Sequence, residues 1–167
     1  MKKALLVIDM QNVCVGENHA QYFKYNNTDL IKAVNGVIEA NKNNMVIYIK
    51  NIMKKNFLNK FAPFHAYEGT EDAALVNNLQ IVSENVYTKY KGNAFSNAAL
   101  NEFLKKNDIT CVEVVGVDGG GCVALTALGA MKEGYQVIVN ENAIGTMFIE
   151  KRNKYFKQLK DAGAEFI

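Results

Sequence analysis

The sequence predicts an α/β protein in which a parallel sheet is covered by helices on both faces. Short apolar runs rich in β-branched residues alternate with segments whose apolar residues recur at helical spacing. Neither an internal repeat nor a low-complexity stretch interrupts this alternation. The length of 167 residues suits one sizeable core, so we expect a single domain over residues 1–167.

Buried strands are indicated by four apolar runs, and two weaker runs bring the possible number of strands to six. The stronger runs lie at about 4–8, 45–49, 111–117 and 136–140, and the weaker ones near 86–88 and 164–167.

Helices are predicted in four of the segments between the strands. Thr28 and Ser96 are the expected N-caps of the first two helices, and Gly134 and Gly163 are expected to end the last two. The apolar residues at helical spacing are Leu30, Val34, Val37 and Ile38; Leu100, Phe103 and Leu104; Val123, Ala127, Leu128 and Met131; Tyr155, Phe156 and Leu159.

The stretch 51–72 has no clear period and holds the only proline, Pro63. We interpret it as an irregular loop of the kind that covers a site. Aromatic residues of this loop and of one earlier segment are candidates for an apolar pocket wall, and ordinary packing is the alternative. These candidates are Tyr22, Phe23, Phe61, Phe64 and Tyr67.

Charge and cysteine usage narrow the class of protein. The 19 Lys and Arg residues nearly balance 17 Asp and Glu residues and are scattered, so neither nucleic acid nor a membrane is an expected partner. The opening apolar run stops at Asp9, too early for a signal sequence or a membrane span. Cysteines at 14, 111 and 122 form neither a disulfide framework nor a paired metal motif. We expect reduced thiols and a cytoplasmic location.

Two residues stand at positions where parallel sheets bind ligands. Asp9 ends the first strand, and Cys122 opens a helix directly after the strand at 111–117. Ligands of such sheets bind beyond the carboxyl ends of strands, where the chain order reverses. If the first and fourth strands are neighbours, Asp9 and Cys122 face one crevice.

The glycines before Cys122 suggest acyl transfer. Backbone N–H groups of the run Gly119–Gly121 are free to point toward a bound oxygen, and a helix N-terminus favours a nucleophilic thiolate. A buried, inert cysteine beside a structural turn is the alternative. A phosphate-binding turn on a flavodoxin-like fold is another, although the dinucleotide-binding and P-loop spacings are both missing.

Three motifs in order along the chain resemble those of the isochorismatase-like cysteine hydrolases. The first is Ala-Leu-Leu-Val-Ile-Asp-Met-Gln-Asn at 4–12. The second is Lys-Tyr-Lys-Gly-Asn-Ala-Phe at 89–95, in which the lysine stands six residues before a phenylalanine. The third runs from Gly116-Val117 through Cys122-Val123 to Gly134-Tyr135. The likeness covers nearly the whole chain.

This resemblance implies a three-layer α/β/α fold with a six-stranded, mostly parallel, doubly wound sheet and a cis peptide between Val117 and Asp118. It implies hydrolysis of a small amide or carbamoyl C–N bond through a thioester, with Asp9, Lys89 and Cys122 as catalytic residues. Backbone N–H groups of Asp118 and Cys122 would form the oxyanion hole. Lys91 is the second choice for the lysine, since it would share a strand face with Lys89. We expect a small-molecule substrate, no cofactor, and a homo-oligomer.

Where this sequence departs from the family motifs, the corresponding properties of the family are not carried over to it. The metal-dependent nicotinamidases use Asp-x-His and a further His, whereas residues 50–56 read Lys-Asn-Ile-Met-Lys-Lys-Asn. We therefore predict no metal site and interpret His65 as a hydrogen-bonding loop residue. Members that cleave isochorismate lack the thiol, so Cys122 favours acyl chemistry. Cys14 is either an ordinary loop thiol or a residue near the crevice mouth that could form a disulfide with Cys122 on oxidation. A non-catalytic binding module on the same fold remains the alternative function.

Overall fold

The computed structural model describes residues 1–57 and 59–167, and the sheet it contains has six parallel strands. The strands are β1 (Lys3–Ile8), β2 (Met45–Asn51), β3 (Val86–Lys89), β4 (Cys111–Val117), β5 (Gln136–Gly145) and β6 (Glu165–Phe166). They pair in the order β3-β2-β1-β4-β5-β6. The chain order reverses beside β1, so β1 and β4 are neighbours, as the site prediction required.

Within residues 1–57 and 59–167, five α-helices cover the sheet and complete the predicted three-layer α/β/α architecture. They are α1 (Asn12–Val15), α2 (Asn27–Ala40), α3 (Ala98–Lys106), α4 (Cys122–Lys132) and α5 (Ile149–Asp161). Alternate residues of β1 enter opposite cores: Leu5 and Val7 pack with α1 and α2, whereas Leu6 and Ile8 pack with α3, α4 and α5. This two-sided burial explains why β1 is continuously apolar.

Element boundaries differ from the predictions at several ends. The first long helix is capped by Asn26 and not by Thr28, and α3 is capped by Asn97, whose side chain accepts from the N–H of Ala99. Ser96 instead closes a 3-10 turn. The strand β5 continues to Gly145 because its pairing with β4 shifts register after Val114 and then resumes.

The loop predicted at 51–72 is irregular but partly ordered by hydrogen bonds. Its first residue still belongs to β2, and it contains 3-10 turns at Asn59–Phe61 and Glu71–Ala73. Residue 58 falls in this segment and lies outside the described residues. No helix within residues 1–57 and 59–167 is both long enough and apolar enough to cross a membrane.

Candidate active site

The carboxyl ends of four adjacent strands deliver the polar residues of the site. Lys89 is the last residue of β3, Asn51 is the last of β2, Asp9 follows β1, and Cys122 begins α4 after β4. Because parallel strands end at the same edge of a sheet, these residues converge there. The structure thus brings together Asp9, Lys89 and Cys122, the three residues that the sequence singled out.

Lys89 is the centre of the hydrogen-bond network. Its Nζ lies 2.8 Å from Asp9 Oδ2, 3.2 Å from Cys122 Sγ and 3.3 Å from Asn51 Oδ1. The residue is only 1% exposed, and Lys91, the second choice, is exposed. A buried ammonium requires charged or polar partners, and this lysine has three. Lys89 is therefore the lysine of this site.

Asp9 has an unusual backbone and a free carboxylate oxygen. Its φ of 54° lies in the left-handed region, which is uncommon outside glycine and often marks functional sites. One carboxylate oxygen, Oδ2, accepts from Lys89. The other, Oδ1, is buried and has no hydrogen-bond partner among the described residues. That unpaired oxygen is the natural acceptor for a proton delivered inside the site.

The thiol of Cys122 is held in its protonated form. Burial and the negative charge of Asp9 raise its pKa to about 12, and the Lys89 ammonium offsets only part of that rise. For Lys89, burial lowers the pKa, but the charges of Asp9 and of the Cys122 sulfur outweigh it and leave the pKa above its usual value. Desolvation therefore outweighs, at this position, the effect by which a helix N-terminus favours the thiolate. A base beside the sulfur is required.

The glycine run before Cys122 serves packing and not ligand binding. The N–H groups of Gly119, Gly120 and Gly121 donate to the oxygen of Gly145, to Asp118 Oδ1 and to the Asp118 carbonyl. A Cβ at Gly120 would lie 2.3 Å from a backbone oxygen of the segment before α5. The predicted use of these N–H groups for a bound oxygen is wrong, and the phosphate-binding alternative loses its donors.

Two other backbone N–H groups remain free near the thiol. Within the described residues, neither the N–H of Asp118 nor that of Cys122 donates to a protein acceptor. The peptide between Val117 and Asp118 is cis, which confirms the expectation from the family resemblance. These are the two donors that the sequence analysis assigned to an oxyanion hole.

A cavity of about 180 Å³ opens onto the thiol, and its lining is mostly apolar. Of the five predicted wall aromatics, Tyr22, Phe23 and Phe64 line it. The other two do not: Phe61 is exposed and packs against Phe57, and Tyr67 stacks on His65. The remaining lining residues are Asp9, Gln11, Val13, Cys14, Tyr25, Asn51, Ala66, Val117, Asp118, Gly121, Cys122 and Phe148.

Cys14 lies in the wall of this same cavity. Both Cys14 and Cys122 are free thiols in the structure. Burial raises the pKa of Cys14, and the nearby charges of Asp9 and Cys122 raise it further. Cys14 lies in α1 and not in a loop, so that part of the prediction was wrong, and its thiol is buried. A disulfide with Cys122 on oxidation stays a prediction.

Three supporting residues were missed by the sequence analysis. Tyr25 donates its hydroxyl to Asp118 Oδ2 at 3.0 Å, which fixes the segment that carries a free N–H. Gln11 joins the ends of β1 and β2: its Oε1 accepts from the N–H of Asn51 at 2.7 Å, and its Nε2 donates to the Asn51 carbonyl at 3.1 Å. Asn51 was detectable by the argument used for Asp9, since it is a polar residue at a strand end.

The residues present do not fit the metal site of the nicotinamidase branch. Asn51 Oδ1 accepts from Lys89, and His65 Nε2 lies 3.1 Å from the carbonyl oxygen of Asn59, as expected of a hydrogen-bonding loop residue. Across the described residues, no three His, Cys, Asp or Glu side chains are grouped so as to hold a metal ion. The chemistry derived below therefore passes through no metal.

Comparison with known proteins agrees with the fold and with the family resemblance. The family model for the isochorismatase domain matches residues 3–167. The isochorismatase family protein YddQ of Bacillus subtilis (strain 168) is 29% identical over 162 residues, which cover 92% of this chain and 83% of the relative.

Two solved structures share the fold of this chain, and at identities of 23% and 24% the likeness concerns the fold alone. The nicotinamidase/pyrazinamidase PncA from Bacillus subtilis superposes with a TM-score of 0.87 at 23% identity, covering 99% of each chain. The N-carbamoylsarcosine amidase from Thermoplasma acidophilum superposes with a TM-score of 0.83 at 24% identity, covering 99% of this chain and 95% of that one. With the family match spanning nearly all of its length, this chain belongs to the isochorismatase-like hydrolase family.

Proposed function

We propose that this chain hydrolyses the C–N bond of a small amide or carbamoyl compound, with Cys122 as nucleophile and a thioester as intermediate. The observation that carries the proposal is the position of Lys89 Nζ, which bonds Asp9 Oδ2 and Cys122 Sγ together beside a cavity of small-molecule size. A buried carboxylate and a half-buried thiol, both bonded to one buried ammonium, can serve as the base and the nucleophile of acyl transfer.

The first half of the reaction forms the thioester. Asp9 accepts the thiol proton through its unpaired oxygen, and Cys122 Sγ attacks the substrate carbonyl carbon. The N–H groups of Asp118 and Cys122 donate to the oxyanion, each donor being worth about 3 to 4 kcal/mol in comparable sites. Lys89 keeps its charge throughout and holds the carboxylate and sulfur in place. Asp9 then protonates the departing nitrogen, and the C–N bond breaks.

Hydrolysis of the thioester completes the cycle. Asp9 removes a proton from a water molecule, whose oxygen attacks the thioester carbonyl, and the same two N–H groups receive the second oxyanion. The C–S bond breaks, and the sulfur recovers its proton from Asp9. The balance is one amide and one water consumed, with one carboxylic acid and one ammonia or amine released.

Ammonia release from a panel of small amides, carbamoyl compounds and ureides tests this function. Wild type is compared with Cys122→Ala after treatment with a chelator, and Cys111→Ala provides a matched control at a buried cysteine of β4 outside the cavity. We expect turnover by wild type and by Cys111→Ala, and none by Cys122→Ala. A silent panel together with an unreactive Cys122 thiol would favour the non-catalytic binding module. Nicotinamidase- or isochorismatase-type activity would instead be recognised by its substrate.

A cytoplasmic location, a homo-oligomeric assembly and a single domain over residues 1–167 stay predictions. They rest on the cysteine usage, on the family resemblance and on the chain length respectively. Size-exclusion chromatography with light scattering would measure the assembly.

A further inference from the structure

The ionisable groups in the wall of the active-site cavity would oppose an anion. Among the described lining residues, the carboxylates of Asp9 and Asp118 are present, and no lysine, arginine or histidine joins them. Lys89 has a fully buried side chain that already bonds Asp9. Lys151 is outside the lining, with its Nζ 5.2 Å from the centre of the Phe148 ring. A substrate that enters this cavity therefore meets no basic side chain beyond the reacting centre.

The polar side chains of the wall are largely occupied by the protein itself. Asp118 accepts three hydrogen bonds, from the N–H of Gly120, the Tyr25 hydroxyl and the N–H of Met147. Gln11 uses both of its amide atoms on neighbouring backbone groups. The surface left to the non-reacting part of a substrate is apolar, and it includes Val13, Tyr22, Phe23, Phe64, Ala66 and Phe148.

We propose that this site selects amides whose non-reacting part is uncharged and apolar, and that it rejects amides carrying a carboxylate there. The inference rests on the proposed amide hydrolysis and adds the class of substrate. A carboxylate in the cavity would lose its hydration and find no free cation in exchange, because the Lys89 ammonium is already paired with Asp9, and it would lie beside the carboxylate of Asp118. An alkyl group of the same shape would instead bury apolar surface and gain free energy.

A pair of amides with the same number of heavy atoms tests the selection. In 4-methylpentanamide an isopropyl group stands where succinamate has a carboxylate, and kcat/KM is measured for both. We expect the neutral amide to be favoured at least about 100-fold, the scale set by burying an unpaired charge. Equal kcat/KM values would overturn the inference while leaving amide hydrolysis intact.

A cation added at the cavity mouth tests whether the cavity wall causes the preference for the neutral amide. Tyr22 lines the cavity and is 40% exposed, so Tyr22→Arg places a positive charge at the edge of the cavity. Ile81, which is 53% exposed and outside the lining, provides Ile81→Arg as the control for net charge. We expect Tyr22→Arg to lower the ratio of the two kcat/KM values, neutral amide over succinamate, about tenfold. Ile81→Arg should leave this ratio unchanged. A preference unaltered by both variants would overturn the assignment.

Alkylation of Cys122 measures the same selection without any turnover. Iodoacetamide carries a neutral amide where iodoacetate carries a carboxylate. Peptide mass mapping gives the rate at which each reagent modifies Cys122, and each rate is divided by the rate of the same reagent with glutathione. We expect the normalised preference for iodoacetamide to exceed that of glutathione at least about tenfold. A ratio equal to that of glutathione would overturn the inference. If Cys122 prefers iodoacetamide as expected but neither of the two amides is turned over, the result would refute amide hydrolysis and leave the selection by the cavity standing.

Discussion

Replacing Lys89 with methionine is expected to destabilise the fold more than any exposed lysine change. The substitution removes the only hydrogen bond that the described structure gives to the Asp9 carboxylate, because Oδ1 already lacks a partner. Asp9 is 4% exposed, so the carboxylate that loses this bond stays largely buried. Removing one partner of a buried ion pair costs about 3 to 5 kcal/mol. For a chain of this length, that lowers Tm by about 6 to 20 °C.

The loss of stability in Lys89→Met should come from the unpaired charge of Asp9 that the substitution leaves behind. In Lys89→Met the buried Asp9 carboxylate keeps no cation beside it, and this unpaired charge is the source of the penalty. The double variant Asp9→Asn/Lys89→Met leaves no buried charge and should recover most of the lost stability. Urea unfolding of the four proteins at pH 7 gives the free energies of unfolding and their coupling.

Lys105→Met is the matched control for this cycle. Its ammonium lies 3.4 Å from Glu133 on the surface, with 60% of the side chain exposed. Such pairs contribute at most about 1 kcal/mol. A loss in Lys89→Met no larger than that of Lys105→Met, or a double variant whose loss equals the sum of the single losses, would refute the buried pair as described.

Three further predictions concern the thiol, a glycine and a supporting amide. Because the pKa of Cys122 is raised to about 12, the unfolded thiol ionises first as pH rises through about 9, so the free energy of unfolding should fall by up to about 1.4 kcal/mol per pH unit over that window. Urea titrations at pH 8 and 10 should show a smaller fall in Cys122→Ala, and an identical fall would contradict the raised pKa. Gly116→Ala should destabilise the fold severely, since the φ of Gly116 is +110° and a Cβ there would lie 2.1 Å from a backbone oxygen of β1. Gly36→Ala, in open space on α2, should instead raise the free energy of unfolding by about 0.5 to 1 kcal/mol. Thermal melts compare the two, and equal Tm values would contradict the close approach. Asn51→Ala should lower kcat/KM about 10- to 100-fold by removing an acceptor from Lys89, as steady-state kinetics would show; an unchanged kcat/KM would exclude that role.

The sheet could be predicted because its signal is local. The strand β1 is apolar on both faces and β4 is buried along its whole length, so composition alone identified them. The strand-end argument then located Asp9 and Cys122 in one crevice. Helix α1 was missed because a four-residue helix shows no period, and the end of β5 was missed because a register shift interrupts its pairing.

The electrostatics of the site depended on long-range contacts that the sequence does not show. Lys89 was distinguished from Lys91 only by the family resemblance, and only the pairing of β3 with β2 brings it toward Asp9. The thiol pKa follows from burial by elements distant in sequence, so the position of Cys122 at a helix N-terminus could not predict it. The same holds for Tyr25, whose contact with Asp118 spans 93 positions of the chain.

Partitioning of the acyl group between water and hydroxylamine tests the thioester intermediate most directly. An amide, an N-methylamide and an ester of one acid are each turned over at a fixed hydroxylamine concentration, and the ratio of hydroxamate to acid is measured. If all three form the same thioester on Cys122, the ratio is identical whatever group departs. A ratio that changes with the leaving group would mean that water attacks the substrate directly and would contradict the account.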